Sequence, residues 1–241
     1  MNRIWIVCLT VLALVVGIGL YLVVQPPKGI AASPQTAPAL QRGIGVQMAQ
    51  TNNAQPMPEA DEAFAWVITV TANGGVYFRT DSVSPTGLME KMISTPRDRQ
   101  AKLYIKADTG APFSVVRSVM AEGQKVNFSG AVLLTAQLGP ATPGTVVPPK
   151  GIEVQAVPEA DSAAVVVQLF KSPRIALRVK LNKQEIRREV LDGTLVQVLG
   201  QRSDKAVVVK ADGQLRFGQV VDIIDQCRAA GATVVLETAG S

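Results

Sequence analysis

The chain has 241 residues, a formal net charge of +5, two cysteines and no histidine. Lacking histidine, it has neither the usual general base near neutral pH nor the commonest metal ligand, which excludes His-dependent triads, zinc-hydrolase motifs and Cys/His nucleophile pairs. Its positive charge is scattered rather than gathered into a stripe, so no nucleic-acid partner is read.

Ile4 to Val24 is apolar apart from Thr10, Gly17 and Gly19. At 1.5 Å per residue it would span roughly 30 Å, the thickness of a bilayer core. Trp5 and Tyr21 sit near its ends, where amphipathic rings favour the interface, and Arg3 before the run places Met1 in the cytoplasm. The expectation is a transmembrane anchor over residues 1–25, with everything after it exported. A cleaved signal peptide is the other reading, with Ile30-Ala31-Ala32-Ser33 as the site; signal h-regions are shorter, about 7–15 residues. No Asp, Glu, Lys or Arg occurs between Ile4 and Val24, so this stretch alone carries no proton relay.

Residues 26–62 are rich in Ala, Gln, Pro and Gly and show no apolar period, the composition of a flexible stalk. The sequence then repeats itself. Pro58-Glu59-Ala60-Asp61 recurs as Pro158-Glu159-Ala160-Asp161, and Lys106-Ala107-Asp108 as Lys210-Ala211-Asp212. Phe113, Val116 and Met120 match Phe217, Val220 and Ile224 at the same offset of 104. Repeated landmarks in one order mark duplicated units, over 63–137 and 159–241. Between them, residues 138–158 hold Pro140, Pro143, Pro148 and Pro149 and read as a semi-rigid linker.

In the first unit, Val67 to Thr71 and Val76 to Arg79 flank Asn73-Gly74-Gly75, a hairpin pattern. Ser84-Pro85 opens a short helix carrying Leu88, Met89 and Met92; Leu103 to Ile105, a helix from about Pro112 and a strand from Ala131 to Thr135 follow. The second unit repeats that order. Ala164 to Phe170 and the alternating run Arg174 to Leu181 form a hairpin around Lys171-Ser172-Pro173. Lys183 to about Leu199 carries a helical stripe, and Ala206 to Val209 is a strand. Val220, Ile223, Ile224 and Cys227 fall at the one-sided spacing of an amphipathic helix, closed by Gly231, and Thr233 to Leu236 is the last strand. The expected fold is therefore α+β: an N-terminal transmembrane helix, then two tandem β-β-α-β-α-β two-layer modules.

The run Ala206-Val207-Val208-Val209-Lys210-Ala211-Asp212, then Phe217, Val220 to Asp225, Arg228 to Ala232 and Val234 to Leu236, resembles the C-terminal signature of the ExbD/TolR family of biopolymer transport proteins. The first copy keeps Ile105 to Asp108 and the helix after it. The resemblance implies a bacterial inner-membrane protein crossing once, with its N-terminus cytoplasmic, its modules periplasmic and an ExbB/TolQ-like multi-helix membrane protein as partner. It further implies modules that pair, here as a dimer or as an internal pseudo-dimer of the two copies. Family members carry an acidic residue inside the membrane helix; none stands at 4–24, so no proton-coupling residue is assigned.

No catalytic, cofactor or metal residues are expected, and a non-enzymatic role follows. Asp108 and Asp212 each close a strand before a helix, where an Asp bonds its own turn or contacts a ligand. Arg174, Arg178 and Lys180 share one side of a strand, either a solvated face or a contact for anionic glycan or lipid. Cys227 on the apolar stripe reads as a buried small hydrophobe. Two roles stand: an accessory or divergent ExbD/TolR-like subunit of an ion-gradient-energised transport complex, or a non-conducting scaffold binding peptidoglycan or another envelope protein.

Overall fold

The computed structural model describes residues 44–84, 86–96, 101–128, 130–136, 148–159, 164–172 and 177–239. The apolar stretch at 4–24 and Arg174 lie outside them. No helix among the described residues is long and apolar enough to cross a membrane.

The described chain opens with a segment over 44–62 that contains the two-residue strand β1 (Gln55–Pro56) and a 3₁₀ turn (Pro58–Asp61). The first copy follows as β2 (Trp66–Val70), β3 (Val76–Phe78), β4 (Asp81–Val83), α1 (Leu88–Ser94), β5 (Leu103–Ala107), α2 (Phe113–Lys125) and β6 (Gly130–Thr135). Strand β7 (Lys150–Val157) leads to the second copy: β8 (Val165–Phe170), β9 (Arg178–Leu181), β10 (Gln184–Ile186), α3 (Leu191–Gly200), β11 (Ala206–Ala211), α4 (Phe217–Ala229) and β12 (Thr233–Glu237). The mixed α+β character and the repeated order agree with the sequence reading. Each copy has one strand more than that reading, β4 and β10, so the module is β-β-β-α-β-α-β.

Local chemistry accounts for these elements. Trp66-Val67-Ile68-Thr69-Val70 is nearly all β-branched or aromatic, and every residue of it is buried. Asn182 and Lys183 both take positive φ, 48° and 75°, which makes the two-residue turn that pairs β9 with β10. The α4 stripe reads as expected: Val220, Ile223, Ile224 and Cys227 are all 0 % exposed. The helix stops where Gly231 adopts φ 79° and the Ala232 N–H reaches back to Cys227 O at 3.0 Å.

All strands but β1 lie on one path, β10-β9-β8-β11-β12-β7-β6-β5-β2-β3-β4. Within each copy the central three strands are parallel: β2, β5 and β6 in the first, β8, β11 and β12 in the second. Helix α1 touches α2, α2 touches α4 and α4 touches α3, so the helices form one layer over one face. Between layer and sheet lies a single apolar core that runs through both copies, from Trp66, Phe78 and Phe113 to Phe217, Ile224 and Leu236. Each fully buried large side chain there contributes roughly 1.5–3 kcal/mol.

Two readings change. The 138–158 segment is not a linker throughout, because Lys150–Val157 is β7 in the middle of the sheet, antiparallel to β6 and parallel to β12. Its sequence, Lys-Gly-Ile-Glu-Val-Gln-Ala-Val, alternates as a strand does, and Ile152, Val154 and Ala156 are buried. The close approach of β6 is met by Gly130, where an added Cβ would stand 2.3 Å from the Val154 carbonyl oxygen. The 26–62 segment is likewise not a free stalk over its described part. Ala49, Thr51, Met57 and Ala60 are buried, and Met57 and Ala60 pack on Ala65, Val67, Tyr104, Val132 and Leu134. Its Met57–Ala60 end covers the sheet face of the first copy that points away from the helices, while Ala49 joins the main core.

Candidate functional site

The loops that carry Asp108 and Asp212 meet each other. The Phe113 N–H donates to Leu215 O at 2.9 Å and the Phe217 N–H to Ala111 O at 2.8 Å. Outside that pair, Ser114 N–H reaches Gly213 O at 3.1 Å and Gly218 N–H reaches Thr109 O at 3.0 Å. Every partner and its counterpart differ by 104 in number: 113 and 217, 111 and 215, 114 and 218, 109 and 213. Reciprocal contacts of this kind define an isologous interface, so a pseudo-two-fold axis passes between the starts of α2 and α4. The two copies pack as an internal pseudo-dimer.

Both aspartates serve turns there. Asp108 Oδ1 accepts from the Gly110 N–H at 2.8 Å, and Asp212 Oδ1 from the Gln214 N–H at 2.9 Å. Asp108 has a second partner, the Gln47 N–H at 3.0 Å from its Oδ2.

Arg178 and Lys180 lie on the helix-free face of the second copy. Their cationic groups stand 5.3 and 4.9 Å from the centre of the Phe170 ring, within cation–π range. Arg178 also forms an ion pair with Glu185, and that hydrogen bond is the main reason the Glu185 carboxyl is held below its usual range. Phe170 lines a cleft of about 220 Å³ together with Arg117, Gln168, Lys210, Asp212 and Glu237. Lys210 pairs with Glu237 at 2.6 Å. Arg117 enters from α2 of the other copy and reaches Ala211 O at 3.3 Å. Of the residues read from sequence, Asp212 thus lines this mixed-charge cleft at the seam, Arg178 and Lys180 adjoin it only through the Phe170 ring, and Asp108 lies on the first copy. With Lys210 paired to Glu237, Arg178 and Lys180 against Phe170, and Arg117 on a backbone carbonyl, this cleft suits contact with a polar protein surface better than capture of a free anion.

The sequence reading missed two features of this region. One is Asp225 on α4, only 8 % exposed, whose carboxylate accepts from Asn52 N–H at 3.0 Å and Asn53 N–H at 2.9 Å. Its single sequence signal is asymmetry, since the counterpart 104 residues earlier is Ala121. The other is the buried pair of side chains beneath the 44–62 segment. Burial pushes the Tyr104 hydroxyl up to about 12, with Glu59, Glu62 and Glu153 adding to it. Burial also lowers Lys106, an effect opposed by the charge of Asp61. Cys227 is inside the core, as read, and burial pushes its thiol up to about 12.

The family model for the biopolymer transport protein ExbD/TolR matches the chain twice, over residues 34–138 and 131–239. The chain belongs to the ExbD/TolR family. No curated protein and no solved structure matches it. Each match spans one of the two copies, so this ExbD/TolR protein carries two family modules in tandem, and the pseudo-two-fold axis relates them. Membership gives it an accessory role in biopolymer transport in general.

Proposed function

We propose that this ExbD/TolR protein is a divergent, non-enzymatic subunit of an ion-gradient-energised inner-membrane complex, acting through protein contacts of its paired modules. In this reading the 4–24 stretch anchors it, the modules are periplasmic, and an ExbB/TolQ-like multi-helix protein is its membrane partner. The observation that carries the reading is the double family match combined with the reciprocal seam: two modules are delivered as one preassembled pair. The cleft around Phe170, Asp212 and Arg117 supports contact through that pair, because it draws on both copies.

One sequence feature favours the second role, a non-conducting scaffold. Residues 4–24 offer no acidic group, so any ion coupling in the complex has to reside in the partner or be absent. Affinity capture of the full chain from membranes in a mild detergent separates the two roles. Under the first, a protein with several apolar spans co-purifies in a fixed ratio. Recovery of cell-wall fragments with no polytopic protein would reject it in favour of the scaffold.

A further inference from the structure

The segment over 44–62 touches both copies yet is held differently from the rest of the fold. Its first tie is to the first copy, through Gln47 N–H to Asp108 and Thr109 N–H to Gln47 O at 2.7 Å. Its next is to the end of β6, where Ala136 N–H donates to Ala49 O at 2.8 Å and the Thr51 and Thr135 hydroxyl oxygens stand 2.8 Å apart. It then crosses to the second copy, where Asp225 receives the Asn52 and Asn53 N–H groups and the Asn53 side-chain amide reaches Asp225 O at 3.2 Å. It finishes on β7 through β1 and on the helix-free face through Met57 and Ala60.

Between Ala49 and Met57 the sequence is Gln-Thr-Asn-Asn-Ala-Gln-Pro, with no large apolar side chain. What holds this stretch is chiefly hydrogen bonding, two of the bonds going to the Asp225 carboxylate, with only small side chains such as Ala49 and Ala54 against the core. Segments with few apolar contacts open at a lower free energy than the core to which they are tied.

We propose that residues 44–62 are a releasable strap stapling the two modules together, with Asp225 as the positioning residue that sets how readily the strap lifts. Lifting it breaks the link from β6 of the first copy to α4 of the second. Carried further, so that Met57 and Ala60 also leave their apolar contacts, it uncovers the face formed by Val67, Tyr104, Val132 and Leu134. The strap is the stretch of chain that joins the modules to everything before residue 44, so a pull on the N-terminal side reaches the strap first. The inference goes beyond the transport reading and does not depend on which partner the modules meet.

Hydrogen exchange on the full chain in detergent, read amide by amide, tests it. Asp225→Asn keeps the side chain's shape but removes the charge and one good acceptor. Hydrogen bonds to charged groups are strong enough that the Asn52 and Asn53 amides should exchange roughly tenfold to a hundredfold faster. Amides of β5 and β11, such as Ile105 and Val209, should keep their wild-type rates. A second variant adds Thr51→Cys and Thr135→Cys to Asp225→Asn in a Cys8→Ala background; its oxidised form should return the strap amides to slow exchange. Unchanged rates at Asn52 and Asn53 would overturn the proposal. So would acceleration spreading equally through β5 and β11, or a strap that stays fast once the new cysteines are bridged. None of these outcomes bears on the partner capture, so the two readings fail separately.

Discussion

The two copies share a topology and differ in what they do with the segment that leads into each. In the second copy the leader is β7, a central strand; in the first it is the strap, displaced from the sheet except where Gln50 bridges Ala136 and β1 pairs with β7. The reason is geometric. A two-fold axis has one line, and the place between β6 and β12 takes one strand. The two sequences decide which leader occupies it. Lys150–Val157 alternates as a half-buried strand does and holds no proline, whereas the strap has Asn52-Asn53 and Pro56, which lacks the N–H a central strand needs. The displaced leader then covers the helix-free face of its own copy. Thr69, Lys106 and Leu134 are buried there, while their counterparts Gln168, Lys210 and Glu237 are exposed or half-buried. A duplicated unit thus diverges first at the element its two copies have to share.

The sharpest way to break this comparison is at its symmetric part. Phe113 and Phe217 start equivalent helices and are 1 % and 0 % exposed. Phe113→Ala and Phe217→Ala should each cost about 3–5 kcal/mol in denaturant unfolding, within one shared transition. Two transitions, each moved by only one of the variants, would mean that the copies do not form a single core. A smaller effect probes the asymmetric part. Gly130→Ala places a Cβ against the Val154 carbonyl and should cost about 1–3 kcal/mol, whereas Thr233→Ala at the matching place on β12, an exposed residue, should stay within about 0.5 kcal/mol. Equal costs would show that β7 sits alike against both neighbours.

The smallest expected effect is the part of the alkaline pH dependence that one residue of the first copy supplies. Tyr104 faces the strap, and its counterpart on β11 is Val208. Its hydroxyl is raised from 10.0 to about 12 in the fold. The folded state therefore keeps the neutral form when the unfolded chain has already ionised. The hydroxyl's share of the stability is intact below pH 10 and falls as pH rises toward 12, by about 1–2 kcal/mol. It comes on top of a separate loss that the buried Cys227 thiol, raised from 9.0 to about 12, contributes from pH 9 upward. In a Cys227→Ala background Tyr104→Phe should remove the hydroxyl's share of the loss, measured as the difference in unfolding free energy between pH 9 and pH 11.5. A loss of the same size in the variant would place its origin elsewhere.

Much of the repeated unit was legible because burial imposes period. The helix-facing residues of α4 and the β-branched runs of β2, β8 and β11 announce themselves through alternation or one-sided spacing. Strands β4 and β10 do not, since Asp81–Val83 and Gln184–Ile186 are three-residue outer strands whose identity comes from a tight turn and a neighbour. The strap was illegible for the opposite reason. Its polar composition is that of a free tether, and its order is supplied by acceptors remote in the chain, Asp108 and Asp225. Of the candidate residues, Asp108 and Asp212 could be read as turn formers from their place after a strand. Nothing in the local sequence foretold that their loops would bond to each other.

The reciprocal seam has a consequence for growth. Tandem duplication usually yields an open array, in which each added unit docks on the last and leaves a fresh surface for the next. Here the surface of one module that recognises its neighbour is the same surface by which it is recognised, and it is consumed in the first encounter. A third module appended to this chain would find no vacant complement, so the architecture counts to two and stops.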